Sequence, residues 1–85
     1  MNKYQGIESQ EEIIEALQWE GRIGSEYEIS EKFGDVTEGS SPDYIIHNLT
    51  GIQLDIGDWI LKNEKGMFMR MSNEEFVKKY NKHGL

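Results

Sequence analysis

Few residues in this chain are suited to chemistry. It contains two histidines, His47 and His83, and no cysteine. A histidine acts as a general base or metal ligand when a second group orients it, and these two stand alone and far apart in sequence. A catalytic histidine is therefore not expected. Asp43, Asp55 and Asp58 could gather a hard cation, but they lack the dense alternate spacing of a calcium loop, so solvated turn and strand-face acids are the simpler reading. The sequence has no glycine-rich dinucleotide loop, no Gly-Lys-Ser/Thr phosphate loop and no Gly-x-Ser-x-Gly elbow. Without cysteine, disulfides, thiolate metal sites and a thiol nucleophile are excluded. No cofactor, metal site or catalytic residue is expected.

Charge is the stronger signal. Sixteen acidic residues against nine basic ones leave a net charge of −7, distributed unevenly. From Glu8 to Asp43 eleven acids stand against Arg22 and Lys32, a net of −9; from Tyr44 to Leu85 five acids stand against six bases. A negative field of this kind repels nucleic acid phosphates and attracts basic protein surfaces. The bland reading is solubility. The functional reading is an acidic docking face built from Glu26, Glu28, Glu31, Asp35, Glu38 and Asp43. Lys78, Lys79 and Lys82 near the end are too few to make a nucleic-acid footprint.

These residues must be positioned by a small scaffold. Eighty-five residues make a single domain, 1–85, and a chain of that size buries only about 60% of its unfolded surface. The first residues lack the apolar stretch of a signal peptide, and no run approaches the roughly 20 apolar residues of a membrane helix, so a cytoplasmic location without membrane contact is expected.

Three Ser-x-x-Glu capping boxes mark helix starts: Ser9-Gln10-Glu11-Glu12, Ser25-Glu26-Tyr27-Glu28 and Ser72-Asn73-Glu74-Glu75. The third predicts a terminal helix from about Asn73 to Asn81, with Phe76, Val77 and Tyr80 on one face. The second predicts a short helix ending near Phe33-Gly34, with Ile29 and Phe33 turned toward the core. After the first box, propensity reads Ile13, Ile14 and Leu17 as an amphipathic helix. Imperfect alternation, with Ile13, Leu17 and Trp19 on one face and Ala16 opposite, allows a strand. The stretch between Gly34 and Pro42 reads as a mobile loop. Strands are expected over Asp43–Asn48 and Ile52–Ile56, the latter with Ile52, Leu54 and Ile56 on its buried face. Gly57-Asp58 then makes a tight turn into Trp59–Lys62, and a hairpin at Asn63–Gly66 leads into Met67–Met71, whose three alternating methionines pack or form a plastic surface. The expected architecture is α+β: a small antiparallel sheet of about five strands with two short helices.

Two segments carry a resemblance. Ile14-Glu15-Ala16-Leu17-Gln18-Trp19-Glu20-Gly21, followed by Gly57-Asp58-Trp59-Ile60-Leu61, Gly66, Phe76 and Tyr80, resembles a widespread family of small proteins encoded in the genomes and prophages of bacterial viruses. The likeness extends from Ile14 to Tyr80. It implies that the residues before Trp19 form a strand, and it favours that reading over the helix. It implies a bacterial host cell as the setting and supplies no settled biochemical activity. For the motif residues Trp19, Gly57, Asp58, Trp59, Gly66, Phe76 and Tyr80 a structural role is the first reading: Gly57 and Asp58 set a turn, and Trp59, Phe76 and Tyr80 fill a core. A partly open aromatic pocket that stacks a base is the alternative.

Three classes follow. The first is a non-enzymatic binding protein of a phage or prophage, such as a counter-defence inhibitor that docks its acidic half on a basic surface of a host or phage protein. The second is a small module that sequesters a nucleotide-like ligand among its aromatic rings, where Lys62, Lys65 and Arg70 would have to offset the negative field. An enzyme ranks below both.

Overall fold

A computed structural model of the chain describes residues 3–8, 12–39 and 43–82. These form β1 (Lys3–Gly6), β2 (Ile13–Gln18), α1 (Ile23–Phe33), β3 (Val36–Glu38), β4 (Tyr44–His47), β5 (Ile52–Asp55), β6 (Trp59–Lys62), β7 (Phe68–Met71), α2 (Asn73–Lys79) and β8 (Tyr80–Lys82). The class is α+β. A five-stranded sheet runs in the order β7-β6-β2-β1-β8, and a separate three-stranded sheet runs β3-β4-β5, with every paired strand antiparallel.

β2 is the central strand and is buried on both faces, which is why its sequence is a nearly unbroken apolar run rather than a clean alternation. Leu17 and Trp19 point to one side, where they join Ile29 and Phe33 of α1, Ile45, Leu54 and Ile60 in the first core. Ile14 and Ala16 point to the other, where they meet Leu61, Met71, Phe76 and Tyr80 in the second. The single charge inside β2, Glu15, is matched in register with Lys3 on one neighbouring strand and Lys62 on the other. Opposite charges across strands make an acid tolerable there.

Several expectations are corrected. The second helix box does not cap: α1 begins at Ile23 with Arg22 as its cap residue, and Ser25 lies inside the first turn. Its hydroxyl donates to the Gln18 carbonyl at 2.6 Å and accepts from the Glu20 amide at 3.0 Å, tying the helix to the end of β2. Gly21, at φ +77°, makes the abrupt bend that permits this. Ser72 does cap α2, accepting from the Glu75 amide, but that helix stops at Lys79. Tyr80 is extended, and β8 pairs with β1 instead of continuing the helix. The segment expected as a loop contains β3, where the β-branched Val36 and Thr37 pair with His47 and Ile46; residues 40–42 lie outside the described residues.

The strands expected in succession from Asp43 to Met71 fall in two sheets. Gly57-Asp58 makes the expected tight turn, the Asp58 amide donating to the Asp55 carbonyl at 2.9 Å, and the turn is a corner that carries the chain from one sheet to the other. The Gly57 amide donates to the Trp19 carbonyl at 2.8 Å, and the Trp19 amide donates to the Asp58 carbonyl at 2.9 Å, so β6 leaves β5 and joins β2. As a result Ile56 is exposed instead of buried, and of the three alternating methionines Met71 is buried while Met67 and Met69 are exposed. The first capping box falls largely on residues 9–11, outside the described residues, as does His83.

Candidate functional site

His47 is wholly buried, and its two ring nitrogens are both engaged. Nε2 donates to the Phe33 carbonyl at 2.7 Å, and Nδ1 accepts from the Thr50 hydroxyl at 2.7 Å. Because a carbonyl can only accept, Nε2 carries the hydrogen; the Thr50 oxygen in turn accepts from the Ile52 amide. Phe33 is the last residue of α1, whose final carbonyls have no partner within the helix. His47 supplies one, and so clamps the three-stranded sheet to α1. Its chemistry is consumed by this role, with no nitrogen left for a proton transfer to a ligand.

The carboxylates are dispersed. Asp58 Oδ2 accepts from the Asp55 amide at 3.0 Å and lies 3.8 Å from Arg70 Nε, which fixes the sheet-to-sheet corner. Asp55 accepts from the Gln53 side chain, and the Asp43 carbonyl accepts from the Trp19 indole at 3.3 Å. No three His, Asp or Glu side chains among the described residues gather closely enough to hold a metal ion.

The aromatic motif residues are brought together. Trp59 stacks face to face on Phe76, with ring centres 3.9 Å apart and planes within 9°. Tyr4 meets both edge-on, and Tyr80 lies tilted against Phe76. Register sets Gln18 opposite Trp59, and Asn73 completes a polar junction between them: its Oδ1 accepts from Trp59 Nε1 at 2.9 Å and from Gln18 Nε2 at 3.3 Å. Gln18 also donates to the Gly57 carbonyl. The Gln-Trp and Gly-Asp-Trp segments are thus one contact, made where β2 meets β6. Trp59 is half-buried, Phe76 and Trp19 are buried, and Gly66 closes the β6–β7 hairpin through its amide to the Asn63 carbonyl. Burial raises the tyrosine pKa of Tyr4; for Tyr80 burial raises it first, and the Glu12 carboxylate that accepts its hydroxyl at 3.1 Å adds to the effect.

The acidic residues are placed as follows. Glu28 and Glu31 are exposed on α1, Asp35 follows the helix, Glu38 ends β3, and Asp43 precedes β4. Glu26 is half-buried, and residues two apart on a helix diverge to nearly opposite sides, so Glu26 does not share a face with Glu28. No ion pair within 4 Å holds Glu28, Glu31, Asp35 or Glu38 among the described residues, whereas Arg22 is bound to Glu20 at 3.1 Å.

The same helix carries a feature that the sequence reading passed over. Ile23 is 85% exposed and Tyr27 66% exposed, one turn apart in a row turned roughly 120° around α1 from Ile29 and Phe33. The i, i+4 spacing that identified the inward pair was equally present in the outward one. Elsewhere, two adjoining depressions of about 240 and 280 Å³ share Ile13, Ile14, Asn63 and Glu64, and no aromatic ring lines either. No helix among the described residues is long and apolar enough to cross a membrane. In comparisons with known proteins, no family model, no curated protein and no solved structure matches this chain.

Proposed function

We propose that the chain is a non-enzymatic binding protein of phage or prophage type that docks an acidic surface on a basic surface of a host or phage protein. A counter-defence inhibitor, covering a host surface that otherwise holds nucleic acid, is a role of this kind. The observation that carries the reading is the set Glu28, Glu31, Asp35 and Glu38: exposed, and in no ion pair among the described residues, in the stretch from Glu8 to Asp43 that holds eleven acids and two bases. The viral setting rests on the resemblance of the Ile14–Gly21 and Gly57–Leu61 segments. Sequestration of a nucleotide-like ligand is less favoured. Trp59 is stacked on Phe76 and its indole nitrogen is bound to Asn73, so the ring is engaged in the fold.

The test is an affinity pull-down from bacterial lysate with the parent chain and with Glu28, Glu31 and Asp35 all changed to Lys. A partner retained by the parent chain and lost from the variant, with association that slows as salt rises, supports the reading. Calorimetry against cyclic and adenine nucleotides is expected to show no heat; micromolar binding of any one would overturn it.

A further inference from the structure

We propose that Ile23 and Tyr27 are the apolar anchors of the docking surface, and that the partner is a protein presenting an apolar cleft rimmed by lysine and arginine. This rests on the acidic docking reading above and specifies its contact.

Ile23 is the most exposed large apolar side chain among the described residues, and Tyr27 stands one turn further along the same row. Glu31 continues that row by another turn, and Glu28 flanks it. At the start of the helix Ile56, itself 55% exposed, lies against Gly21, where a single added carbon would approach its Cδ1 to 2.8 Å. The nearest cation, Arg22, is offset by a carboxylate. Arg22 is held by Glu20 at 3.1 Å and folds over Gly24, where its Nη1 would come within 2.6 Å of an added Cβ. The outer side of α1 is therefore an apolar centre with a carboxylate margin.

Neither anchor serves the fold. Two side chains so exposed bury little area, and isoleucine and tyrosine are only middling helix formers, so alanine or lysine would suit a solvated position better. Burial in a partner is where they gain. Tyrosine is among the residue types that dominate binding energy when desolvated at the centre of an interface, with a polar rim excluding water. Charge selects the occupant: between Ile23 and Asp43 six acids stand against Lys32. That field repels nucleic acid and anionic lipid and complements a basic protein.

The probe is a basic amphipathic peptide of alternating lysine and leucine blocks, compared with an all-lysine peptide of equal length. The parent chain is expected to bind the lysine-leucine peptide on the order of tenfold more tightly, the gain expected from partial burial of one or two apolar anchors. Amide shift changes are expected to centre on residues 22–31. In the double variant I23S/Y27S that preference disappears, while the weaker, salt-sensitive binding of the all-lysine peptide persists. Its melting temperature stays near that of the parent, since both positions are exposed. If the double variant keeps the full preference, the anchors are wrong although the acidic surface stands. If Glu28→Lys with Glu31→Lys leaves binding of both peptides unchanged, the acidic docking reading itself fails. Sedimentation at rising concentration covers the remaining occupant: self-association abolished by I23S/Y27S would make this face a contact between copies and overturn the basic partner.

Discussion

At the scale of single residues, polar side chains here are joints. His47 joins the three-stranded sheet to α1, Ser25 joins α1 to β2, and Asn73 joins α2 to the strands that carry Gln18 and Trp59. Tyr80 is the joint with a pH consequence. Its hydroxyl donates to Glu12, and both burial and that carboxylate favour the neutral phenol, raising its pKa above the usual 10.0. A group whose folded pKa is raised contributes stability that is complete below its unfolded value and is lost as pH climbs through the folded one. The melting temperature should therefore fall as pH rises beyond about 10. Tyr80→Phe keeps the ring against Phe76, costs about 1 kcal/mol at neutral pH for the lost hydrogen bond, and should flatten part of the alkaline decline. Tyr4, also raised by burial, contributes in the same direction. An equally steep decline in Tyr80→Phe would show that the linkage lies elsewhere.

At the scale of elements, the corner at Gly57 decides which strands become neighbours. Its φ is +99°, and nothing lies within 4 Å of where a Cβ would stand. Gly57→Ala therefore isolates backbone strain from crowding, and should cost about 1–3 kcal/mol by chemical denaturation. A cost near zero would mean that the corner relaxes freely. The elements also show what could be read in advance. β2 was legible as a strand only through the resemblance that runs on to Trp19 and Gly21, whereas the β6–β7 hairpin was legible from Asn63–Gly66 and the start of α2 from Ser72. β1 and β8 were not, because Lys3-Tyr4-Gln5-Gly6 and Tyr80-Asn81-Lys82 hold almost no apolar pattern; β1 is a strand because β2 pairs with it, and β8 because β1 pairs with it across nearly the whole chain. β3 was hidden by its brevity. The separation into two sheets depends on the Trp19 backbone binding Gly57 and Asp58, a contact between distant segments that local spacing does not encode. Among candidate site residues, the acids were legible as charge but not as a face: Glu26 turns away, while Ile23 and Tyr27 were overlooked.

At the scale of the molecule, two cores share a single sheet. β2 and β6 send alternate side chains to both, so neither core can be dismantled without exposing the other. The two tryptophans report them separately, with Trp19 in the first core and Trp59 packed against the second. In Trp19→Phe and in Trp59→Phe, the fluorescence of the remaining tryptophan should change at the same denaturant midpoint as far-UV circular dichroism, as one cooperative transition requires. A Trp59 signal lost well before the dichroism would show that the second core opens on its own.

The positions of those cores along the chain carry a further consequence, for synthesis. Every buried member of the first core lies between Leu17 and Ile60, and Phe68 packs against it, but the second core needs Phe76 and Tyr80. A chain emerging from the ribosome can close the first core while Ile14, Ala16 and Leu61 on the reverse of the same strands still face water. β1 meanwhile waits with an unpaired edge until β8 appears. The nascent protein thus passes through a one-sided sheet, apolar on its back and open at its border, the kind of surface that chaperones hold and that aggregation exploits. The last ten or so described residues act as the lid that ends this exposure.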